Sequence, residues 1–175
     1  ASACINCVAG KYQTLHGQIS EDACILCLPG KYHTLPGQIS EDACVECAAG
    51  MFSNATGQSA CFGCEAGKFQ AEIASQTCDS CAPGQYQSLM GGLSCLPCPS
   101  GHFQLDEGAS KCDSCAPGKY NSWTGVAECF LCPQGKFQPS GGQELCSLCA
   151  AGTFTNKTAQ TKCSQCVAGK FQQDY

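Results

Sequence analysis

The sequence lacks arginine and has few charged residues of any kind. Charged side chains make up 13% of its 175 residues, and the formal net charge is −5. Its nine basic residues are all lysines, and they are spread along the chain rather than clustered. Binding to nucleic acid depends on a basic face that contacts many phosphates, so this composition disfavours nucleic acid as a partner.

Long hydrophobic runs are also missing. No stretch approaches the roughly 18 apolar residues that a membrane-spanning helix requires, so we expect no membrane span in this segment. The first residues, Ala1 to Ala3, do not resemble a signal peptide, because the repetitive part of the sequence begins immediately. We therefore expect a mature, processed chain or a segment of a longer protein.

Cysteine, in contrast, is abundant, at 20 of 175 residues. This fraction is typical of a disulfide scaffold, and the even number favours oxidation in a secretory or extracellular compartment. Every cysteine belongs to the pattern C-x-x-C-x-x-G-x-[FY]. The ten copies begin at Cys4, Cys24, Cys44, Cys61, Cys78, Cys95, Cys112, Cys129, Cys146 and Cys163.

These copies divide the chain into two 20-residue repeats (4–43), seven 17-residue repeats (44–162) and a partial repeat (163–175). A fixed period of this kind indicates a linear array, and no linker or change in composition interrupts it. We therefore predict one continuous array over residues 1–175. The repeats are numbered 1 to 10 below, and positions within a repeat are counted from its first cysteine as position 0.

Glycine and aromatic residues recur at fixed positions. Position 6 is always glycine, and the Pro-Gly pairs at Pro29, Pro83 and Pro117 predict type II turns. Position 13 is glycine in seven repeats and alanine at Ala74 and Ala159. We predict a small disulfide-rich fold, an elongated solenoid-like rod of ten short β-hairpin and turn repeats with almost no helix. Position 8 is aromatic throughout: Tyr12, Tyr32, Phe52, Phe69, Tyr86, Phe103, Tyr120, Phe137, Phe154 and Phe171.

Disulfides are expected to replace a hydrophobic core, so we predict that the reduced chain does not fold. Spacing alone does not fix the pairing. The preferred scheme joins the second cysteine of each repeat to the first cysteine of the next, because each such bond encloses its own turn glycine and aromatic. It pairs Cys7–Cys24, Cys27–Cys44, Cys47–Cys61, Cys64–Cys78, Cys81–Cys95, Cys98–Cys112, Cys115–Cys129, Cys132–Cys146 and Cys149–Cys163. It leaves Cys4 and Cys166 as candidates for disulfides to a continuing polymer or a longer parent chain.

The tandem pattern from Cys4 to Phe171 resembles the ephrin-receptor-like cysteine-rich repeats of large secreted and cell-surface proteins. It is also similar to the first submodule of tumour necrosis factor receptor cysteine-rich domains. The resemblance implies an elongated, disulfide-laddered extracellular rod that serves as a stalk, an adhesion segment or a ligand-binding ectodomain. Receptor ectodomains have six-cysteine modules with varied spacing, whereas these repeats are nearly identical, which favours a structural polymer.

Two other functions use Cys-x-x-Cys pairs, namely zinc binding and redox exchange of thioredoxin type. Gaps of 13 or 16 residues between pairs fit a zinc ribbon only in part, although 20 cysteines would suffice for five tetrathiolate sites. A thioredoxin-type redox pair needs one distinguished site, which ten equal copies do not offer. His16, His33 and His102 fall at different repeat positions and are expected to be exposed loop residues. We therefore predict no enzymatic activity and no cofactor.

Two sequons indicate N-glycosylation. Asn54 and Asn156 both occupy position 10 of their repeats, and each is followed two residues later by a threonine, Thr56 and Thr158 respectively. The equivalent residues Thr14, Thr34, Ser88 and Ser122 are candidates for O-glycosylation. The alternative is that these are ordinary turn residues.

Together these patterns predict a secreted or cell-surface structural protein whose repeats form or extend a glycosylated fibre, filament, stalk or surface coat. Its expected partners are copies of itself, bound end to end or laterally, or other extracellular proteins. The alternative is a receptor or adhesion ectodomain that binds a protein ligand, and a thiolate zinc-binding protein is a third possibility. The sequence leaves open whether Trp123, the only tryptophan, packs against a neighbour or contacts a partner.

Overall fold

The computed structural model describes residues 4–170. It contains nine antiparallel hairpins, each made of two strands of two residues. The strands are β1 Lys11–Tyr12, β2 Ile25–Leu26, β3 Lys31–Tyr32, β4 Val45–Glu46, β5 Met51–Phe52, β6 Phe62–Gly63, β7 Lys68–Phe69, β8 Asp79–Ser80, β9 Gln85–Tyr86, β10 Leu96–Pro97, β11 His102–Phe103, β12 Asp113–Ser114, β13 Lys119–Tyr120, β14 Phe130–Leu131, β15 Lys136–Phe137, β16 Ser147–Leu148, β17 Thr153–Phe154 and β18 Ser164–Gln165.

Helix is almost absent, as predicted. Within residues 4–170 the helical elements are two 3₁₀ turns, Glu21–Ala23 and Glu41–Ala43, which arise from the three extra residues of the 20-residue repeats. The side chains of Ser20 and Ser40 cap these turns by accepting a hydrogen bond from the backbone N–H two residues later. The small disulfide-rich fold of short hairpins is therefore confirmed.

The described contacts divide the chain into two compact units. Unit 1 comprises Ala1–Ser80 and Leu89–Ser94, and unit 2 comprises Cys81–Ser88 and Cys95–Tyr175. The same repeat architecture occurs in both units. A single continuous rod over the whole sequence stays a prediction.

Each hairpin joins one repeat to the next. Positions 7 and 8 of a repeat pair with positions 2 and 1 of the following repeat, as where Tyr12 lies opposite Ile25 and Tyr120 opposite Phe130. This sharing explains why ten predicted repeats give nine hairpins in the described chain. Phe171, the aromatic of the tenth repeat, lies outside the described residues.

The predicted type II turns begin these hairpins. At Leu28–Lys31, the N–H of Lys31 donates to the carbonyl of Leu28 at 3.1 Å, and Gly30 has a φ of 82°. Proline at the second turn position and a left-handed glycine at the third are the signature of this turn. Pro29 and Gly30 thereby direct the chain into β3.

Backbone hydrogen bonds connect adjacent repeats within each unit. Four recur at the same positions. Between repeats 6 and 7 they run from Gly101 N–H to Asn121 O (2.7 Å), from Gln104 N–H to Val126 O (3.2 Å), from Gly125 N–H to Cys98 O (2.8 Å) and from Cys115 N–H to Gly101 O (2.9 Å). The equivalent four join repeats 1 and 2. Successive repeats within a unit are thus held in register by their main chains.

Position 6 also contacts the repeat after next. Gly84 has a φ of 83°, and a Cβ at this residue would collide with the backbone oxygen of Gly125 in repeat 7. Position 13 is left-handed as well, even where it is not glycine, since Ala74 and Ala159 have φ values of 55° and 58°. Side chains rarely adopt this conformation, so both alanines are locally strained.

The interior consists mainly of cystine. The second cysteine of each repeat is buried in repeats 1 to 8, whereas the position-8 aromatics are half-buried except for Tyr12, which is buried. The buried polar side chains are Ser53, Gln70, Gln104, Asn121 and Gln138, all at position 9. Disulfides and position-9 side chains therefore occupy the space that an apolar core fills in larger domains.

Candidate functional site: the disulfide ladder and its loops

Nine disulfides form a ladder along the repeats, with Cα–Cα distances of 5.6 to 5.8 Å. The structure brings together the same cysteines as the preferred sequence scheme. The pairs are Cys7–Cys24, Cys27–Cys44, Cys47–Cys61, Cys64–Cys78, Cys81–Cys95, Cys98–Cys112, Cys115–Cys129, Cys132–Cys146 and Cys149–Cys163. Each bond closes a loop that contains one turn glycine and one aromatic.

Cys4 and Cys166 are the free cysteines of the described chain, and Cys4 is exposed while Cys166 is partly exposed. Cys4 is at position 0, where every other first cysteine bonds to the preceding repeat. Cys166 is at position 3, where every other second cysteine bonds to the following repeat. Each therefore presents one half of a ladder disulfide, and the identity of their partners stays a prediction.

The loops are fixed by the side chain at position 9, a role that the sequence patterns did not reveal. Gln104 is typical: its Oε1 accepts from the N–H of Asp106 at 3.0 Å, and its Nε2 donates to the carbonyl of Lys111 at 2.9 Å. Gln70 and Gln138 make the same two contacts. The available signal was a glutamine directly after the aromatic, which occurs in the sequence at Gln13, Gln70, Gln87, Gln104, Gln138 and Gln172.

Repeat 7 has asparagine at this position. The fully buried Asn121 accepts a hydrogen bond from the N–H of Trp123 at 3.0 Å through its Oδ1. Its Nδ2 donates to the carbonyls of Trp123 and His102, both at 2.8 Å. One buried side chain therefore holds both backbone polar groups of Trp123 and links this loop to repeat 6.

Trp123 packs against a neighbouring ring, which is one of the two alternatives that the sequence left open, and contact with a partner stays a prediction. Its ring lies edge-on to Phe130, with centroids 5.4 Å apart and planes at 78°. The residue nevertheless keeps 59% of its surface exposed. Packing on Phe130 thus orients the indole without covering it.

The predicted glycosylation positions all lie on the surface. Asn54 and Asn156 are exposed, and so are the hydroxyl residues Thr14, Thr34, Ser88 and Ser122. Exposure is what glycan attachment requires. Attachment at any of these residues stays a prediction.

The histidines depart in part from expectation. His16 is exposed, but His33 and His102 are half-buried, and His102 lies in β11 rather than in a loop. The Nδ1 of His33 lies 3.0 Å from the carbonyl oxygen of Leu35, and that of His102 lies 3.2 Å from the carbonyl oxygen of Ser100. The expected exposure is therefore wrong for both residues, because each ring lies against a carbonyl oxygen of its own repeat, and the expected loop position is wrong for His102 alone.

A cystine sulfur is not a thiolate ligand, so the eighteen cysteines of the ladder cannot form the tetrathiolate sites considered above. Across residues 4–170, no group of three or more histidine, cysteine, aspartate or glutamate side chains is arranged to hold a metal ion. In the same part of the chain, no helix is long and apolar enough to cross a membrane.

The sequence matches the family described as tyrosine-protein kinase ephrin type A/B receptor-like over residues 50–94, 67–115, 86–125 and 118–166. Together these segments span residues 50–166, about two thirds of the chain. The chain belongs to this family. No curated protein matches it. The predicted ephrin-receptor-like resemblance is thereby confirmed.

Membership in the ephrin-receptor-like family agrees with the structure. Each matched segment contains at least one complete disulfide of the ladder, and the nine disulfides require an oxidising compartment. The ephrin-receptor-like repeats described here are therefore an extracellular or cell-surface segment.

Proposed function

We propose that this chain is a non-enzymatic structural protein whose repeats form or extend a glycosylated fibre, stalk or surface coat. The observation that carries the proposal is the position of Cys4 and Cys166 on the ladder. A preceding repeat would supply the missing disulfide partner of Cys4, and a following repeat would supply that of Cys166. One further copy at each end would supply these partners, and so would additional repeats of a longer parent chain.

The repeat-to-repeat bonding supports the same function. Within each unit, the same four backbone hydrogen bonds and one disulfide recur from repeat to repeat. Because each repeat is bonded to its neighbours in the same way, an array of this kind can be extended by further repeats and needs no unique central site. It therefore suits repeated end-to-end or lateral contacts between copies.

Joining two copies requires one oxidation. The thiols of Cys166 and Cys4 lose two protons and two electrons as their sulfurs bond, and the thiol–disulfide system of the secretory compartment accepts the electrons. Glycans on the exposed Asn54 and Asn156 would coat the assembled repeats, because both asparagines follow the hairpin strands and face solvent.

Disulfide mapping of unreduced material, with free thiols blocked first, tests this proposal. We expect the nine ladder pairs together with an intermolecular peptide that joins Cys166 to Cys4. A Cys4→Ser variant should abolish that peptide and shorten the assemblies seen by negative-stain microscopy. Complete blocking of both thiols, with single particles only in the images, would reject the polymer.

A receptor or adhesion ectodomain is the second candidate function. One observation favours it, namely that the exposed aromatic rings are unevenly distributed and concentrate at Trp123. The two functions differ in where an external protein binds. Binding that maps to one or two repeats would support the ectodomain, and binding of copies at their ends would support the polymer.

A further inference from the structure

Tyr120, Trp123 and Phe130 form an aromatic cluster on unit 2, in which Trp123 and Phe130 are exposed and Tyr120 is half-buried. Phe130 lies 5.4 Å from Trp123 and 6.0 Å from Tyr120 between ring centroids, so the three rings are continuous. Phe130 keeps 45% of its surface exposed and Trp123 keeps 59%. An exposed aromatic patch of this kind is common at binding surfaces and uncommon elsewhere on soluble proteins.

The cluster is presented rigidly. Asn121 fixes the backbone of Trp123 on both sides, and the edge-on contact with Phe130 orients its ring. A side chain that is already ordered loses little conformational freedom when a partner binds. Tryptophan in this state is a frequent energetic centre of protein interfaces.

Carboxylates flank the rings at equivalent positions of the preceding repeat. Asp106 occupies in repeat 6 the position that Trp123 occupies in repeat 7, and Gln104 accepts a hydrogen bond from its N–H, as Asn121 does from that of Trp123. Asp113 occupies in repeat 7 the position that Phe130 occupies in repeat 8. Backbone hydrogen bonds join repeat 6 to repeat 7 and repeat 7 to repeat 8, so each carboxylate lies one repeat away from its corresponding ring, and both are exposed.

Repeats 6 and 7 contain two lysines, Lys111 and Lys119. Lys111 is the only lysine of repeat 6. Lys119 pairs with Leu131, and consecutive strand residues point to opposite faces, so Lys119 lies on the face opposite Tyr120 and Phe130. Glu107 and Glu128 add two further exposed carboxylates to the flanking loops.

Unit 1 contains a matched aromatic pair without these features. Phe52 and Phe62 also lie 6.0 Å apart, at 48° compared with 46° for Tyr120 and Phe130, and Phe62 is 50% exposed. Ala55 stands at the position of Trp123, next to the sequon asparagine Asn54. The residues that correspond to Asp106 and Asp113 are the uncharged Leu35 and Val45.

We propose that the aromatic cluster, with Asp106 and Asp113, binds a cationic segment of a partner protein. An arginine or lysine of that segment would lie over the indole of Trp123, where the ring quadrupole attracts a cation. The aspartates would pair with it or with an adjacent basic residue. A second copy of this chain cannot supply a guanidinium, because the chain has no arginine. The proposal is independent of end-to-end assembly.

The fluorescence of the single tryptophan provides a direct test, since Trp123 reports on this site alone. The probe is a capped pentapeptide, Gly-Arg-Gly-Arg-Gly, titrated at low salt. We expect a saturable change in emission that the corresponding glutamate peptide does not produce. The Asp106→Asn/Asp113→Asn variant should bind about fivefold more weakly, as expected for the loss of two exposed charge pairs.

Ionic quenchers test the electrostatic part separately. The two carboxylates should make caesium a better quencher of Trp123 than iodide, and the double Asn variant should lower the ratio of their quenching constants. The control, Asp22→Asn/Asp42→Asn, removes the same charge from unit 1 and should change neither the ratio nor peptide binding. Phe62→Ala is the control for Phe130→Ala, and only the latter should weaken peptide binding.

Five results would overturn the proposal. Four of them are no saturable response to the arginine peptide, equal responses to the arginine and glutamate peptides, equal effects of the two double Asn variants, and a response to neutral sugars that exceeds that to the peptide. Burial of Trp123 that depends only on the concentration of this protein would also reject it and would assign the cluster to contacts between copies. The substituted aspartates are exposed, so the variants should retain the nine disulfides, which mapping would verify.

Discussion

Units 1 and 2 share one scaffold but differ in what they present on it. Unit 1 carries eight acidic residues and three lysines, so it accounts for the whole net charge of −5, whereas unit 2 carries six of each. Half of the acidic residues of unit 1 lie in the two 3₁₀ turns. Unit 2 has the tryptophan-centred aromatic cluster instead. The repeat therefore fixes the backbone and the disulfides, and leaves the loop surfaces free to diverge.

Reduction of the disulfides should have the largest effect, because it should abolish the difference between the two units. We expect both units to unfold together in reductant, because each disulfide closes a loop and contributes about 3 kcal/mol by restricting the unfolded chain. Loss of the circular dichroism of the native protein and a shift of Trp123 emission would measure it. Retention of native spectra with all thiols reduced would show that the half-buried aromatics suffice.

A glycine at position 6 offers the next largest effect and has a matched control. Gly84→Ala should destabilise unit 2 by more than about 3 kcal/mol, because left-handed strain adds to a collision with the backbone of Gly125. Gly152→Ala introduces the same strain at a φ of 79° but meets no described atom within 4 Å, so about 1 kcal/mol is expected. Thermal unfolding monitored at Trp123 would compare the two variants. Equal losses would mean that strain alone acts.

The position-9 side chains allow the two units to be compared directly. Asn121→Ala should cost about 2 kcal/mol, because it leaves the partly buried carbonyls of His102 and Trp123 without their donor. Ser53→Ala in unit 1 should cost less, since its hydroxyl makes one contact of 3.4 Å with Ala55 O. Stability measurements on both variants check the difference. Asn121→Ala should also loosen Trp123, visible as lower fluorescence anisotropy.

The smallest effect is expected at the strained alanines, one in each unit. Ala74→Gly and Ala159→Gly should each stabilise the protein by about 0.5 kcal/mol, because relief of left-handed strain slightly exceeds the added freedom of the unfolded chain. Ala55→Gly, at a residue without positive φ, should destabilise by a similar amount. Stabilisation by all three variants would show that backbone conformation is not the cause.

The sequence predicted the parts of the fold that depend on local chemistry. The Pro29-Gly30 turn, the short strands at the aromatics and the small disulfide-rich class all follow from residue types at fixed offsets. The role of Gln104 did not emerge, because its two partners, Asp106 N–H and Lys111 O, converge only after the loop closes. The contact between Gly84 and Gly125 was also missed, since it joins repeats that are not adjacent in sequence.

The covalent ladder has a mechanical consequence. Each disulfide bridges the residues of its loop, so a pulling force passes from cystine to cystine through Cys-x-x-Cys segments and leaves the loops unloaded. With a Cα–Cα distance of 5.7 Å across the bond, a repeat can then extend to only about 17 Å, compared with about 60 Å for 17 residues of reduced chain. The oxidised protein is a tether whose maximum length is set by its cross-links, and its extensibility changes more than threefold with redox state.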